Sequence, residues 1–204
     1  MNTNKTSEST EIETTLAILT AVGSNSDLTQ RSIANELGIA LGLANAYLKR
    51  CLNKGLIKIT EAPSNRYAYY LTPKGFAEKG RLTTKYLTIS FQFYRSARRQ
   101  FELLFKTCIE NNWRRVALCG QSDMVEVALI CASNFPITLV GVISPNSDQL
   151  FTSGLSVHKD LSSVLPVDTI IITDLDNPQA TFDQIIMEID PERVLAPQFA
   201  NISR

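Results

Sequence analysis

The spacing of apolar residues along this chain changes from one stretch to the next, and each change marks an element. Between Thr29 and Ile57 the spacing is helical. Ile33, Ala34 and Leu37 form one stripe, and Leu43, Ala44, Leu48, Cys51 and Leu52 form a second. Thr29 suits an N-cap, because its side-chain oxygen accepts a backbone N–H of the first turn. Gly38 separates the two stripes and Gly55 follows the second, and glycine ends a helix cheaply in the left-handed conformation. Helix, glycine turn, helix is the pattern whose second helix enters a DNA major groove, although an ordinary helical hairpin carries it too. Upstream, Leu16, Ile18, Leu19 and Val22 place a first helix over Glu13 to Ala21.

After Gly55 the period becomes two. Leu56 to Thr60 alternates, Tyr67 to Leu71 is aromatic-rich, and Ala62 to Arg66 between them supplies turn residues. A helix-turn-helix followed directly by such a hairpin predicts a winged helix. Pro73 then opens a short helix to about Lys79. From Leu82 to about Asn111 neither Pro nor Gly occurs, and Leu82, Tyr86, Ile89, Phe93, Ala97, Phe101, Leu104 and Cys108 recur at helical spacing. Leu87, Phe91, Tyr94 and Phe105 widen that face. A small wing domain cannot cover so long a stripe. A second copy of the helix in a homodimer would cover it, and so would the C-terminal part of the chain.

Beyond Asn111 continuous apolar runs alternate with helical stretches. Arg115–Gly120, Ile137–Ile143, Asp168–Thr173 and Arg193–Leu195 read as strands. Helices are expected from Ser122 or Asp123 through Ala132 and from Pro178 to Ile189. Gly154 to Val157 reads as loop, with a short helix near Asp160 to Val164. Continuous apolar strands alternating with helices predict a parallel sheet covered on both faces. The expected fold is therefore α+β and α/β: an N-terminal winged helix-turn-helix, a long linking helix and a C-terminal Rossmann-like parallel sheet. Its divisions are a disordered tail over residues 1–9, a DNA-binding domain over 10–81, a linking and dimerisation helix over 82–112, and the Rossmann-like domain over 113–204.

Two stretches carry a resemblance. GIALGLANAYLKRCLNKGLIKI and YAYYLTPKGFAEKGRLTTKYL resemble winged-helix regulators of the MarR type, in the subgroup associated with exopolysaccharide gene clusters. The LTPKG element from Leu71 to Gly75 and the run from Glu78 to Thr83 are its most particular features. The resemblance spans roughly residues 10 to 105. It implies a winged helix, duplex DNA as partner and a transcription-regulating role. The recognition helix departs from the pattern, since Leu43 and Ala46 stand where polar side chains are usual. Residues 114–197 resemble, more diffusely, the Rossmann-like modules of sugar acyltransferases and nucleotide-sugar enzymes.

Charge sharpens this division. The net charge is zero, yet residues 28–106 hold 14 Lys+Arg against 4 Asp+Glu, and residues 107–204 hold 5 against 12. A basic region joined to an acidic one fits a nucleic-acid binder with an attached module, and equally an uneven solvated surface. Arg31, Lys49, Arg50 and Arg66 are the candidate phosphate contacts. Gln30, Ser32, Gly42, Leu43, Asn45 and Asn65 lie where base or backbone contacts occur.

In the parallel sheet, ligands bind beyond the carboxyl ends of the strands. Those ends present Gly120, Gln121, Ser122 and Asp123, then Ser144 and Asn146, then Thr173, Asp174 and Asp176. Ser122 and Val125 replace the second and third glycines of G-x-G-x-x-G, so a dinucleotide is not expected. The aspartates favour hydroxyl-rich or cationic ligands of sugar or nucleotide type, and Gly120→Val is expected to remove such binding without unfolding the domain. Cys51, Cys108, Cys119 and Cys131 form no C-x-x-C pair, and His158 is the only histidine. These residues give no metal site, no cofactor and no catalytic constellation, so an enzyme is not expected. An enzyme carrying a targeting wing and a protein-binding wing remain the alternatives. No apolar run reaches the length of a membrane span, and the polar N-terminus is no signal peptide, which predicts a cytoplasmic protein.

Overall fold

A computed structural model describes residues 3–25, 28–62, 66–145 and 147–203, with side chains from Thr10 onward apart from 61–66. The chain divides into two compact units, Met1–Phe91 and Gln92–Arg204.

In the first unit, helices α1 (Thr3–Ser24), α2 (Gln30–Glu36) and α3 (Leu41–Asn53) precede an antiparallel hairpin of β1 (Ile57–Ala62) and β2 (Arg66–Leu71). Helix α1 starts ahead of the expected Glu13, inside the stretch assigned to a tail. Residues 3–11 contain neither Gly nor Pro, so the helix propagates backward from the buried Ile12 at little cost once nucleated. Ile18, Leu19 and Val22 of α1 meet Ile33, Leu48, Cys51, Leu56 and Tyr69 in one core.

Local chemistry fixes the bends. Thr29 and Ser32 form a reciprocal capping box at α2: the Thr29 hydroxyl accepts the Ser32 amide at 3.0 Å, and Ser32 Oγ accepts the Thr29 amide at 2.8 Å. Gly38 has φ of 61°, the left-handed conformation that its position between the stripes anticipated.

The LTPKG element joins the wing to helix α4 (Pro73–Glu110). Thr72 Oγ1 accepts the Gly75 amide at 3.0 Å and donates to the Gly55 carbonyl at 2.7 Å, while Lys74 Nζ donates to the Lys54 carbonyl at 2.9 Å. A Cβ on Gly75 would lie 2.0 Å from the Leu56 carbonyl oxygen, so only glycine lets this first turn pass the start of the wing. Helix α4 runs on without the break expected between Lys79 and Leu82. An exposed helical Gly80 costs only about 0.5–1 kcal/mol, and Leu82 buried just beyond it favours continuation.

The second unit is built on a six-stranded sheet of β3 (Arg115–Cys119), β4 (Thr138–Ile143), β5 (Phe151–Thr152), β6 (Leu155–His158), β7 (Thr169–Ile172) and β8 (Val194–Leu195). Its order is β5-β6-β4-β3-β7-β8, parallel except at the β5–β6 edge. The five parallel strands follow the 3-2-1-4-5 order of a doubly wound sheet, which reverses between β3 and β7. Alternate residues feed the two faces. Val116, Leu118, Val142, Ile171 and Leu195 pack under α5 (Met124–Ala132) and under Ala97, Phe101, Phe105 and Cys108 of α4. Ala117, Cys119, Ile143, Ile170 and Ile172 face the other way, toward Leu161, Val164 and α6 (Pro178–Ile185).

Two expectations change here. Gly154 to Val157 is not loop: it carries the hairpin of β5 and β6, and β6 extends the sheet beside β4 without an intervening helix. His158 ends β6, paired with Ile143. The apolar stripe of α4 also splits. Ala97, Phe101, Phe105 and Cys108 are fully buried by the sheet of their own chain, whereas Leu87, Phe91, Phe93 and Tyr94 remain exposed. Among the described residues no helix is long and apolar enough to cross a membrane.

Candidate nucleic-acid interface and strand-end cleft

Helix α3 buries Ala44, Leu48 and Cys51 and turns its opposite side to solvent. That side carries Gly42, Leu43, Ala46, Lys49 and Arg50, with Arg31 of α2 also exposed. Several of the sequence-selected residues have work inside the unit. Gln30 Nε2 donates to the Tyr69 hydroxyl at 3.3 Å, which ties α2 to the wing, and Ser32 is consumed in the capping box. Asn45 is half-buried, and its Oδ1 faces inward without a hydrogen-bond partner among the described residues. Arg50 donates to Glu11 Oε1 of α1 and lies over the Tyr47 ring, 5.2 Å from its centroid. Both charges of that pair are half-exposed, so it is worth only about 0–1 kcal/mol and competes weakly with a phosphate. Asn65 and the side chain of Arg66 lie outside the described residues.

The wing adds Lys58, whose ammonium sits 5.8 Å from the Tyr70 ring centroid, and exposed Tyr67. Sequence reasoning did not select Lys58. Its register opposite Tyr70 depends on the hairpin pairing, which no local pattern states.

In the second unit, the carboxyl ends of β3, β4 and β7 surround a cleft of about 240 Å³. Of the predicted ligand residues, Gly120, Gln121, Ser144, Asp174 and Asp176 line it. Ser122, Asp123 and Thr173 do not. Ser122 accepts the Met124 amide at 3.1 Å and donates to the Thr173 carbonyl, and the buried Thr173 hydroxyl donates to the Gly120 carbonyl. Asp123 is exposed at the start of α5 and makes no capping bond. Asn146 lies outside the described residues. The cleft also has walls that went unselected: Lys159 and Asp160 after β6, and Thr181, Gln184 and Glu188 on and beyond α6. No signal in the sequence marks them, because they reach the cleft through the β5–β6 hairpin and the placement of α6.

Asp174 is the structural centre of this edge. Its Oδ1 accepts the amides of Asp176 at 2.8 Å and Asn177 at 3.2 Å, and its Oδ2 accepts the Thr181 hydroxyl. Burial opposes its ionisation, but the Thr181 hydroxyl and the two amides outweigh that and hold the carboxyl below its ordinary range. Gly120, at φ of 101°, lies against it. A Cβ there would be 2.4 Å from Asp174 Cβ and 2.5 Å from its amide nitrogen. The expectation for Gly120→Val is thereby corrected: the glycine is required by packing, so valine would disrupt the domain rather than only its ligand site.

All four cysteines are free and buried. Burial pushes Cys108 and Cys119 up to about 12, and raises Cys51 and Cys131 as well, so the thiols stay protonated at neutral pH. Among the described residues no group of His, Cys, Asp and Glu has the arrangement of a metal site.

Residues 13–58 match the family described as winged helix-turn-helix DNA-binding. No curated protein matches the chain. Among solved structures, the chain is similar to MepR, a transcription regulator of the Staphylococcus aureus multidrug efflux pump MepA, at 24% identity and a TM-score of 0.35, over 41% of this chain and 61% of that one. It is similar to Streptococcus pneumoniae FabT in complex with DNA, at 24% identity and a TM-score of 0.31, over 41% of this chain and 56% of that one. A third similarity, to PigF with SAH, has 12% identity and a TM-score of 0.25, over 94% of this chain and 57% of that one. The chain thus spans less than two thirds of the length of each of these proteins. The match over residues 13–58 takes in α2, α3, most of α1 and the start of β1, and with the hairpin of β1 and β2 that follows it the first unit is a winged helix-turn-helix DNA-binding domain.

Proposed function

We infer that this protein is a sequence-specific, DNA-binding transcriptional regulator of the MarR type, in the exopolysaccharide-associated subgroup that its LTPKG element resembles. It acts in the cytoplasm as a homodimer and carries no catalytic activity. The single observation that carries the reading is the solvent face of α3. It offers Lys49 and Arg50 to phosphates beside an exposed Arg31, while Gly42 at its N-terminal end has no side chain to hold the backbone away from base edges. In this reading Arg50 exchanges Glu11 for a phosphate when DNA binds.

The exposed Leu87, Phe91, Phe93 and Tyr94 of α4 supply the dimer contact. The second unit acts as the effector domain, with a small hydroxyl-bearing metabolite of sugar or nucleotide type in the strand-end cleft. Selection of duplex fragments from a random pool by the purified protein tests the reading. A recurrent motif, bound tighter than unrelated duplex by a factor of at least about 10³ at physiological salt, is the expected result. Recovery of no preferred sequence would overturn it.

A further inference from the structure

Helix α3 keeps one polar side chain at a position where the fold gains nothing from it. Ala44, Leu48 and Cys51 are buried, Gly42, Ala46 and Lys49 are exposed, and Asn45 stands half-buried at the border between the two faces. Its Oδ1 is shut off from solvent and accepts no hydrogen bond from any described residue. A carbonyl oxygen buried without a donor gives up its hydration and receives nothing in exchange. Asparagine is also among the weaker helix formers, and Asn45 lies inside the helix rather than at a cap. On local grounds alanine or leucine would suit the fold better.

The preceding turn shows how the group is released. A helical side chain leans toward the N-terminus, over the residues three and four positions before it, so Asn45 leans over Leu41 and Gly42. Gly42 has no side chain, and apart from the helix backbone itself nothing lies within 4 Å of the point a Cβ would occupy there. The Asn45 amide therefore has room to turn outward by rotation of its own side chain, displacing no neighbour. Gly42, Asn45 and Lys49, spaced by three and four residues, then form one strip of the helix surface. Lys49 is the candidate phosphate contact at one end of that strip, and the N-terminal part of a recognition helix, where Gly42 lies, is the part that reaches base edges.

We propose that Asn45 is the residue of α3 that reads an adenine. In the free protein its carbonyl is held inward without a donor. On the DNA site it turns out beside Gly42 and pairs bidentately in the major groove, Oδ1 accepting the adenine N6 amino group and Nδ2 donating to N7. The orphaned carbonyl makes the pairing selective. Adenine supplies the donor that the fold withholds, whereas guanine at the same place presents N7 and O6, two acceptors, and leaves Oδ1 without one. This rests on the reading of the protein as a sequence-specific DNA-binding regulator and deepens it by naming a base and its reader.

The test uses the full-length wild type, Asn45→Ala and Asn45→Leu, with duplexes built on the site that the wild type selects from a random pool. Each base pair of the site is replaced in turn. Fluorescence anisotropy gives the affinity of each protein for each duplex, and thermal unfolding without DNA gives the Tm. Replacing one particular A·T pair by G·C is expected to weaken wild-type binding by roughly tenfold or more and to leave both variants unaffected. Every other replacement is expected to weaken the three proteins alike. Both variants should unfold at a Tm equal to or above that of the wild type, since each removes the orphaned carbonyl, and should bind unrelated duplex with unchanged salt dependence.

Base-pair profiles identical in the wild type and both variants would overturn the proposal and leave the regulator reading intact. A Tm several degrees lower in both variants would overturn it too, by showing that Asn45 has a partner within the folded protein. Failure of the wild type to select any site would remove the regulator reading and the proposal together.

Discussion

The two units of this protein treat their polar side chains in opposite ways. In the winged helix the long cations Arg31 and Lys49 stand in solvent, while the short polar groups, Thr29, Ser32 and Thr72, close caps and turns. In the sheet unit the residues at the strand ends are nearly all short, and most turn inward: Ser122, Thr173 and Asp174 satisfy the amides and carbonyls of their own loops. A short side chain within reach of an unpaired backbone group is captured by it. A long one is held so only where a carbonyl lies at its reach, as Lys74 is at Lys54, and the side chains of Arg31 and Lys49 have no such bond among the described residues. Residue type alone therefore says little about availability at the strand ends, where Ser and Asp serve equally as ligand groups and as caps.

Mutations break this contrast at different strengths. The largest effect belongs to the closed edge of the sheet unit. Gly120→Val places a branched side chain against the Asp174 backbone at a positive φ and should prevent that unit from folding. Phe101→Ala, at a fully buried ring, should cost about 3–5 kcal/mol. Denaturant unfolding measures both. A Gly120→Val protein as stable as wild type would show that the edge is open to solvent in solution.

Next is the split stripe of α4. Phe91→Glu and Leu87→Glu alter exposed residues, so each should leave the Tm of the isolated fold near wild type while turning a dimer into a monomer in light scattering, because a charge buried without a partner costs several kcal/mol. Ile89 is a poorer probe, since it packs against the winged-helix core and its loss would unfold that unit as well. A wild-type protein that is monomeric at high micromolar concentration would remove the dimer contact.

The contrast between captured and free side chains is sharpened by DNA titrations at several salt concentrations. Lys49→Ala should weaken binding to every duplex alike and flatten the slope of log K against log salt by about 0.9, the share of one phosphate. An unchanged slope would take Lys49 away from the phosphates. Glu11→Gln, which releases Arg50, should leave the slope equal or steeper.

The smallest effect is on pH dependence. Asp168 accepts the amides of Arg115 and Arg114 at the start of β3, and these bonds hold its carboxyl below the ordinary range. A carboxyl lowered in the folded state stabilises it fully above the unfolded value of about 3.9, and that contribution is lost as pH falls through the folded value. Asp168→Asn should thus be less stable than wild type at pH 7 by about 1 kcal/mol, since the half-buried carboxylate keeps part of its hydration, with the difference vanishing in that acidic window. A difference that persists unchanged below it would assign the effect to packing.

Periodicity and caps carry through to the structure wherever the contacts are local. The stripes of α2 and α3, the Thr29 cap, the left-handed Gly38, the hairpin after Gly55 and the strands β3, β4, β7 and β8 as single elements are all readable in the sequence, because each depends on residues a few positions apart. What the tertiary structure decided is what distant segments do to one another. Tyr69 takes Gln30, Asp174 takes the space beside Gly120, and the sheet takes Phe101 and Phe105 from a stripe that the sequence left open. The short β5–β6 hairpin, too weak in pattern to read alone, exists because β4 offers it an edge, and the wall it gives the cleft, Lys159 and Asp160, exists only with it. Such pairings join residues far apart in the chain, where side-chain identity states only what a group can bond to, and the packing selects which partner it meets.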